Sequence, residues 1–175
     1  MITIRKASLK DVESIVNLWK AFMREHDKII FKQTPKLKPL LIRKKDAARI
    51  FRKFVQKNIR SKIGIVHIAE INGKPVGYSL AFIKDNVRVY KTEKVGYISD
   101  LFIKKESRAK GISSKFKDEA IKWFRKKGIN HISIAVHKEN RLAYSIYRKW
   151  GFLDYHIEMR RKIYGHFFPF PSIAT

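Results

Sequence analysis

Two β-rich runs, Lys94 to Ile103 and Ile132 to Val136, enclose a stretch whose apolar residues recur every three to four positions, and this strand-helix-strand unit constrains the fold more than any other feature. A helix between two strands carries the chain across the sheet and favours parallel pairing of those strands. The spacing predicts a helix over Gly111 to Lys127, with Phe116, Ala120, Ile121, Trp123 and Phe124 turned inward and Gly128 ending it.

The chain before this unit reads as antiparallel. Ile65 to Ile71 is β-rich, Asn72-Gly73 is a strong hairpin signal, and Lys74 to Ile83 returns the chain. Ile2 to Lys6 alternates like a first strand, and Ser8 to Asp11 forms a capping box ahead of Ile15, Val16, Leu18, Trp19, Phe22 and Met23 on a long amphipathic helix. Thr34 to Pro39 breaks that pattern, and Asp46 to Ile59 sets Ile50, Phe51, Phe54 and Val55 on one face of a second helix. The loop 84–93 is the expected insertion or lid. Asn140 to Trp150 forms the last helix, stopped by Gly151, and Tyr155 to Ile163 alternates as a final strand. The class is α/β (α+β): one domain over 1–175, a mixed, mostly antiparallel central sheet of about seven strands flanked by about four helices, with 164–175 as a tail. The aromatic run of that tail, Tyr164 to Phe170, either covers a groove or dimer interface or packs on the core.

Composition narrows the chemistry. Hydrophobic residues make up 45% of the 175, which excludes a disordered chain, and no apolar run reaches the length of a membrane span. The start lacks the pattern of a secretory signal, so a cytoplasmic location is expected, as monomer or homodimer. Cysteine is absent, which removes disulfides, thiolate metal sites and a cysteinyl acyl-enzyme. The six histidines have no metal-ligand spacing, so no metal is expected. Against 15 Asp+Glu stand 40 Lys+Arg, a net charge of +25. Such a field suits nucleic acid or an acidic substrate, or else is simply solvated surface. The spread of basic residues over every segment favours the second reading.

Residues 101 to 115 carry the first chemical signal. A strand ends at Leu101, Phe102 and Ile103, a basic loop follows, and a helix begins at Gly111-Ile112-Ser113-Ser114. Small residues allow close backbone approach, and free N–H groups at a helix start suit a pyrophosphate, although an ordinary strand-to-helix turn has the same outline. The pattern Arg108-x-x-Gly111-x-Ser113 resembles the Arg/Gln-x-x-Gly-x-Gly/Ala signature of the GNAT acetyltransferase superfamily, with Ser113 departing from the usual last residue. A second stretch downstream strengthens the resemblance: Asn140-x-x-Ala143-x-x-x-Tyr147-x-x-x-Gly151-Phe152 is similar to that family's following helix.

The resemblance implies acetyl-CoA as co-substrate and a primary amine, on a protein, a peptide or a small molecule, as acceptor. It places the cofactor on Leu101, Phe102 and Ile103, on Arg108, Ala109, Lys110, Gly111, Ile112, Ser113 and Ser114, and on Asn140, Ala143 and Tyr147. It makes Tyr147 the acid that protonates the departing thiolate, and a backbone N–H near 101–103 the oxyanion donor. Read from the residues, Asn140 is also a helix N-cap and Tyr147 also a packed aromatic. Many relatives in that family carry a glutamate on the strand face that here holds Tyr97 and Ser99. These two are the candidates to order a water for amine deprotonation; Asp100, placed by period two on the opposite face, serves only if a bulge re-aims it. His137 and Glu139 are further candidates. A non-catalytic acetyl-CoA sensor or basic nucleic-acid-associated module of the same fold is the alternative.

Overall fold

Asn72 and Gly73 take φ of 51° and 75°, the positive values a two-residue hairpin turn demands. They join β2 (Gly64–Ile71) to β3 (Lys74–Asp85) in the computed structural model, which describes residues 1–163. Strand β1 (Ile2–Lys6) pairs antiparallel with β2, and β4 (Lys94–Ile103) antiparallel with β3. Strand β5 (Ile132–Ile134) runs parallel to β4, giving the order β1-β2-β3-β4-β5. The crossover between these last two strands is α3 (Ile112–Lys126), as the sequence predicts. The remaining helices are α1 (Val12–Gln33), α2 (Ala47–Arg60) and α4 (Arg141–Lys149).

The sheet is covered on both faces. Ile15 and Val16 of α1 and Phe51 and Val55 of α2 meet Val66, Ile68, Tyr78, Leu80 and Phe102 on one side. Phe116, Ala120 and Phe124 of α3 meet Ile65, Ala69, Ala81 and Ile98 on the other. Burying each such large side chain contributes about 1.5–3 kcal/mol. Gly96 lets α3 lie this close, since a Cβ there would stand 2.5 Å from the Phe124 ring. The expected Ser8 box is present: the Asp11 carboxylate accepts the Ser8 N–H at 2.7 Å and also pairs with Arg5.

Three expectations need correction. The described residues contain five strands, not about seven, and Tyr155 to Ile163 forms none. That segment alternates as a strand would, yet Tyr155, Ile157 and Met159 are 79–90% exposed; alternation supplies the propensity, and among the described residues no neighbouring edge supplies the hydrogen bonds. Strand β3 runs through Asp85, so the loop begins two residues later than expected. The third correction concerns β4. Leu80 of β3 faces Asp100 and Ala81 faces Ile98, which leaves Ser99 as the extra residue of a bulge. The bulge reverses the alternation: Tyr97, Asp100 and Phe102 share the face toward α1 and α2, while Ile98 and Leu101 face α3. The tail 164–175 lies outside the described residues.

Candidate active site

The parallel pairing of β4 with β5 is confined to Gly96–Ile98 and Ile132–Ile134. Past it the strands part, and a cleft of about 280 Å³ opens between them. Its walls are Ser99, Asp100 and Leu101 from the bulge, Ala135, Val136 and His137 beyond β5, Asn140, Ala143 and Tyr147 of the α4 region, and Phe22, Met23 and His26 of α1. The bulge that upsets the period also turns Asp100 into this space.

Asp100 is 9% exposed. Its carboxylate accepts the Tyr78 hydroxyl at 3.0 Å and the Ser99 hydroxyl at 2.7 Å. Burial pushes its pKa up, against the pull of those two hydrogen bonds. Tyr147 is pushed up to about 12, first by burial and then by the Asp100 charge. Its ring is held between Trp150 at 5.5 Å and Phe152 at 6.3 Å. Gly151 has φ of 87°, and the Phe152 N–H reaches back to the Tyr147 carbonyl at 3.1 Å, so the Gly-Phe pair ends the helix and seats Phe152 on Tyr147 in one motif.

Beyond the C-terminal end of β4, the loop into α3 takes the left-handed conformation twice, at Ala109 with φ 60° and at Gly111 with φ 74°. Gly111 stands at the N-cap and offers no side-chain acceptor, and the first helical bond is made only by the Lys115 N–H. The N–H groups of Ile112, Ser113 and Ser114 therefore lack helical partners, and a Cβ on Gly111 would meet nothing within 4 Å, so the space in front of the loop is open. This arrangement accommodates a pyrophosphate with main-chain donors. The Arg108 guanidinium is committed elsewhere: its Nε donates to the Ile103 carbonyl at 2.9 Å and its other end pairs with Glu25, tying the loop to α1.

The structure gathers most of the expected residues but not all. Ser99, Leu101, Asn140, Ala143 and Tyr147 line the cleft, and Arg108 to Ser114 form the loop beyond β4 and the start of α3. Phe102 faces the α1 side, Ile103 packs toward Phe116, and Tyr97 turns to Phe82, with Lys84 4.3 Å above its ring. Tyr97 is therefore not a cleft wall. Asn140 takes the capping role, its Oδ1 accepting the Ala143 N–H at 3.2 Å. His26 was missed; it extends the apolar stripe of α1 by one turn past Phe22, and that spacing was the available signal. Its Nδ1 is buried without a hydrogen-bond partner among the described residues. Among those residues no cluster of three or more His, Asp or Glu could hold a metal, and no helix is long and apolar enough to cross a membrane.

With this geometry in view, a family model described as the acetyltransferase (GNAT) family matches residues 21–152. The chain belongs to the GNAT family. An uncharacterized N-acetyltransferase of Methanocaldococcus jannaschii is 29% identical over 150 residues, 86% of this chain, which spans only 60% of that relative's length. Among solved structures, a predicted acetyltransferase of Clostridium acetobutylicum in complex with acetyl-CoA superposes with a TM-score of 0.73 at 20% identity, covering 93% of this chain and 96% of its own. The aminoglycoside N-acetyltransferase AAC(6')-Iy in complex with CoA gives 0.70 at 18% identity over 93% and 95%. At such identities the superpositions establish a shared GNAT fold, α+β with a mixed sheet.

Proposed function

We propose that this GNAT protein is an N-acetyltransferase that moves the acetyl group of acetyl-CoA directly to a primary amine, in particular the amine of a protein or peptide. The observation that carries the reading is the cleft where β4 and β5 part, which holds a buried carboxylate and a half-buried phenol together. Acetyl-CoA supplies an acetyl group activated as a thioester. The main chain of Arg108 to Ser114 binds its pyrophosphate, and the edge of β4 from Ser99 onward that β5 leaves unpaired binds the arm leading to the thioester and supplies the oxyanion donor.

Asp100 receives the proton of the attacking amine as the new C–N bond forms. Tyr147 delivers its own proton to the sulfur as the C–S bond breaks. With Tyr147 near 12, transfer to a thiolate of ordinary pKa is uphill by about 5 kcal/mol. The two residues ease that step together. Once Asp100 is protonated, its charge no longer holds the Tyr147 proton in place, so the acid strengthens as the thiolate departs. Ser99 and Tyr78 steer the carboxylate through their hydroxyls. A protein that only senses acetyl-CoA has no use for this pair.

The pH dependence follows from these shifts. Activity requires ionised Asp100 and a neutral amine, so kcat/KM climbs as pH rises through both pKa values, and it falls only where Tyr147 ionises, near 12. The test is release of CoA by the purified protein from acetyl-CoA mixed with peptides, amino acids and polyamines. No release above the buffer rate with any of them removes the proposal.

A further inference from the structure

We infer that the acceptor is the α-amine of a polypeptide that begins with an apolar residue, and that lysine side chains and polycationic amines are poor acceptors; this rests on the acetyl-transfer reading above. The first ground is the shape of the acceptor side. Phe22, Met23 and His26 of α1 reach over the cleft, and a run of ring contacts crosses it: Phe102 to Phe22 at 5.5 Å, Phe22 to His26 at 6.0 Å, and His26 to His137 at 6.1 Å. An apolar side chain beside the amine fits this wall.

The second ground is charge. A site for a polycation needs carboxylates free to bind it, and those around this mouth are engaged. Asp27, with Oδ1 3.9 Å from His26 Nδ1, is held by Arg43 through two bonds of 2.6 and 2.7 Å. Glu25 pairs with Arg108. Glu139 accepts the Thr34 hydroxyl at 3.3 Å and lies 3.7 Å from Lys138. Asp100 is bonded by two hydroxyls. The net charge of +25 adds a repulsive field.

The third ground is proton chemistry. The groups facing the cleft that can take a proton are one carboxylate and two imidazoles, all far weaker bases than a lysine amine. An α-amine of pKa about 8 is neutral at pH 7 some hundreds of times more often than an ε-amine of about 10.4. A site so short of strong bases selects the amine that needs least help.

The experiment compares kcat/KM at pH 7, by CoA release, for a lysine-free peptide beginning Met-Leu with a free α-amine, the same peptide N-blocked and carrying one lysine, and spermidine. The expected order favours the α-amine by about 100-fold or more. Spermidine or the lysine peptide matching it overturns the inference, whereas CoA release from none of the three counts against acetyl transfer itself. Two variants test the grounds separately. Arg43→Ala frees Asp27 beside His26 and should raise turnover of spermidine several-fold with the peptide unchanged; an unchanged spermidine rate removes the charge argument. Met23→Gln should raise KM several-fold more for the Met-first peptide than for a Gly-first peptide; equal changes in both remove the apolar wall.

Discussion

Helices α3 and α4 end in the same way and begin in opposite ways. At each C-terminus a glycine with positive φ closes the helix, Gly128 at 72° and Gly151 at 87°, and the next residue donates back to the carbonyl five positions earlier, Ile129 to Phe124 at 3.0 Å and Phe152 to Tyr147 at 3.1 Å. At the N-termini, α4 closes its first turn with its own Asn140 side chain, whereas α3 opens on Gly111, which has nothing to offer. A helix that satisfies its own donors is built to hold a side chain still, here Tyr147. A helix that leaves them open is built to receive an anion. On the proposed reading the difference separates holding the co-substrate from acting on it, and that separation can be broken experimentally.

The largest effect falls on α4. Tyr147→Phe should lower kcat by about 10²–10⁴-fold while the affinity for acetyl-CoA, measured by calorimetry, stays within a factor of two or so. Next is Gly96→Ala, which drives a methyl into the Phe124 ring and separates α3 from the sheet; it should cost about 1–3 kcal/mol in urea unfolding. Gly111→Val puts a β-branched residue at φ 74° and crowds the open space before the loop. Acetyl-CoA affinity should fall about tenfold, the equivalent of the 1–2 kcal/mol that left-handed backbone costs such a residue. Smallest is Asn140→Ala, which loses the cap of α4 and should cost about 1 kcal/mol, a shift of about 2–4 °C in Tm for a chain of this size. If Gly111→Val harmed turnover more than binding, or Tyr147→Phe harmed binding more than turnover, the division between the two helices would be wrong.

The helix ends were legible because glycine, asparagine and apolar spacing act locally. The β4 face was not. Period two placed Asp100 opposite Tyr97, and only the pairing of Leu80 with Asp100 and Ala81 with Ile98 shows Ser99 to be the extra residue. A bulge is fixed by the partner strand, and the adjacent polar pair Ser99-Asp100 inside an apolar strand was its one local trace. The place of the Arg108 side chain was hidden for a similar reason: its guanidinium meets Glu25, 83 residues away, and no local pattern carries that pairing. Tyr155 to Ile163 shows the reverse failure, a clear alternation with no strand edge among the described residues to complete it.

The most direct test of the account is a single time course with acetyl-CoA and a free-amine peptide, following CoA release and peptide mass together in wild type and in Asp100→Asn. The account predicts one acetyl group gained on the peptide for each CoA released, and a loss of about 10²-fold or more in the variant. CoA released without an acetylated amine, or a variant as fast as the wild type, would contradict it.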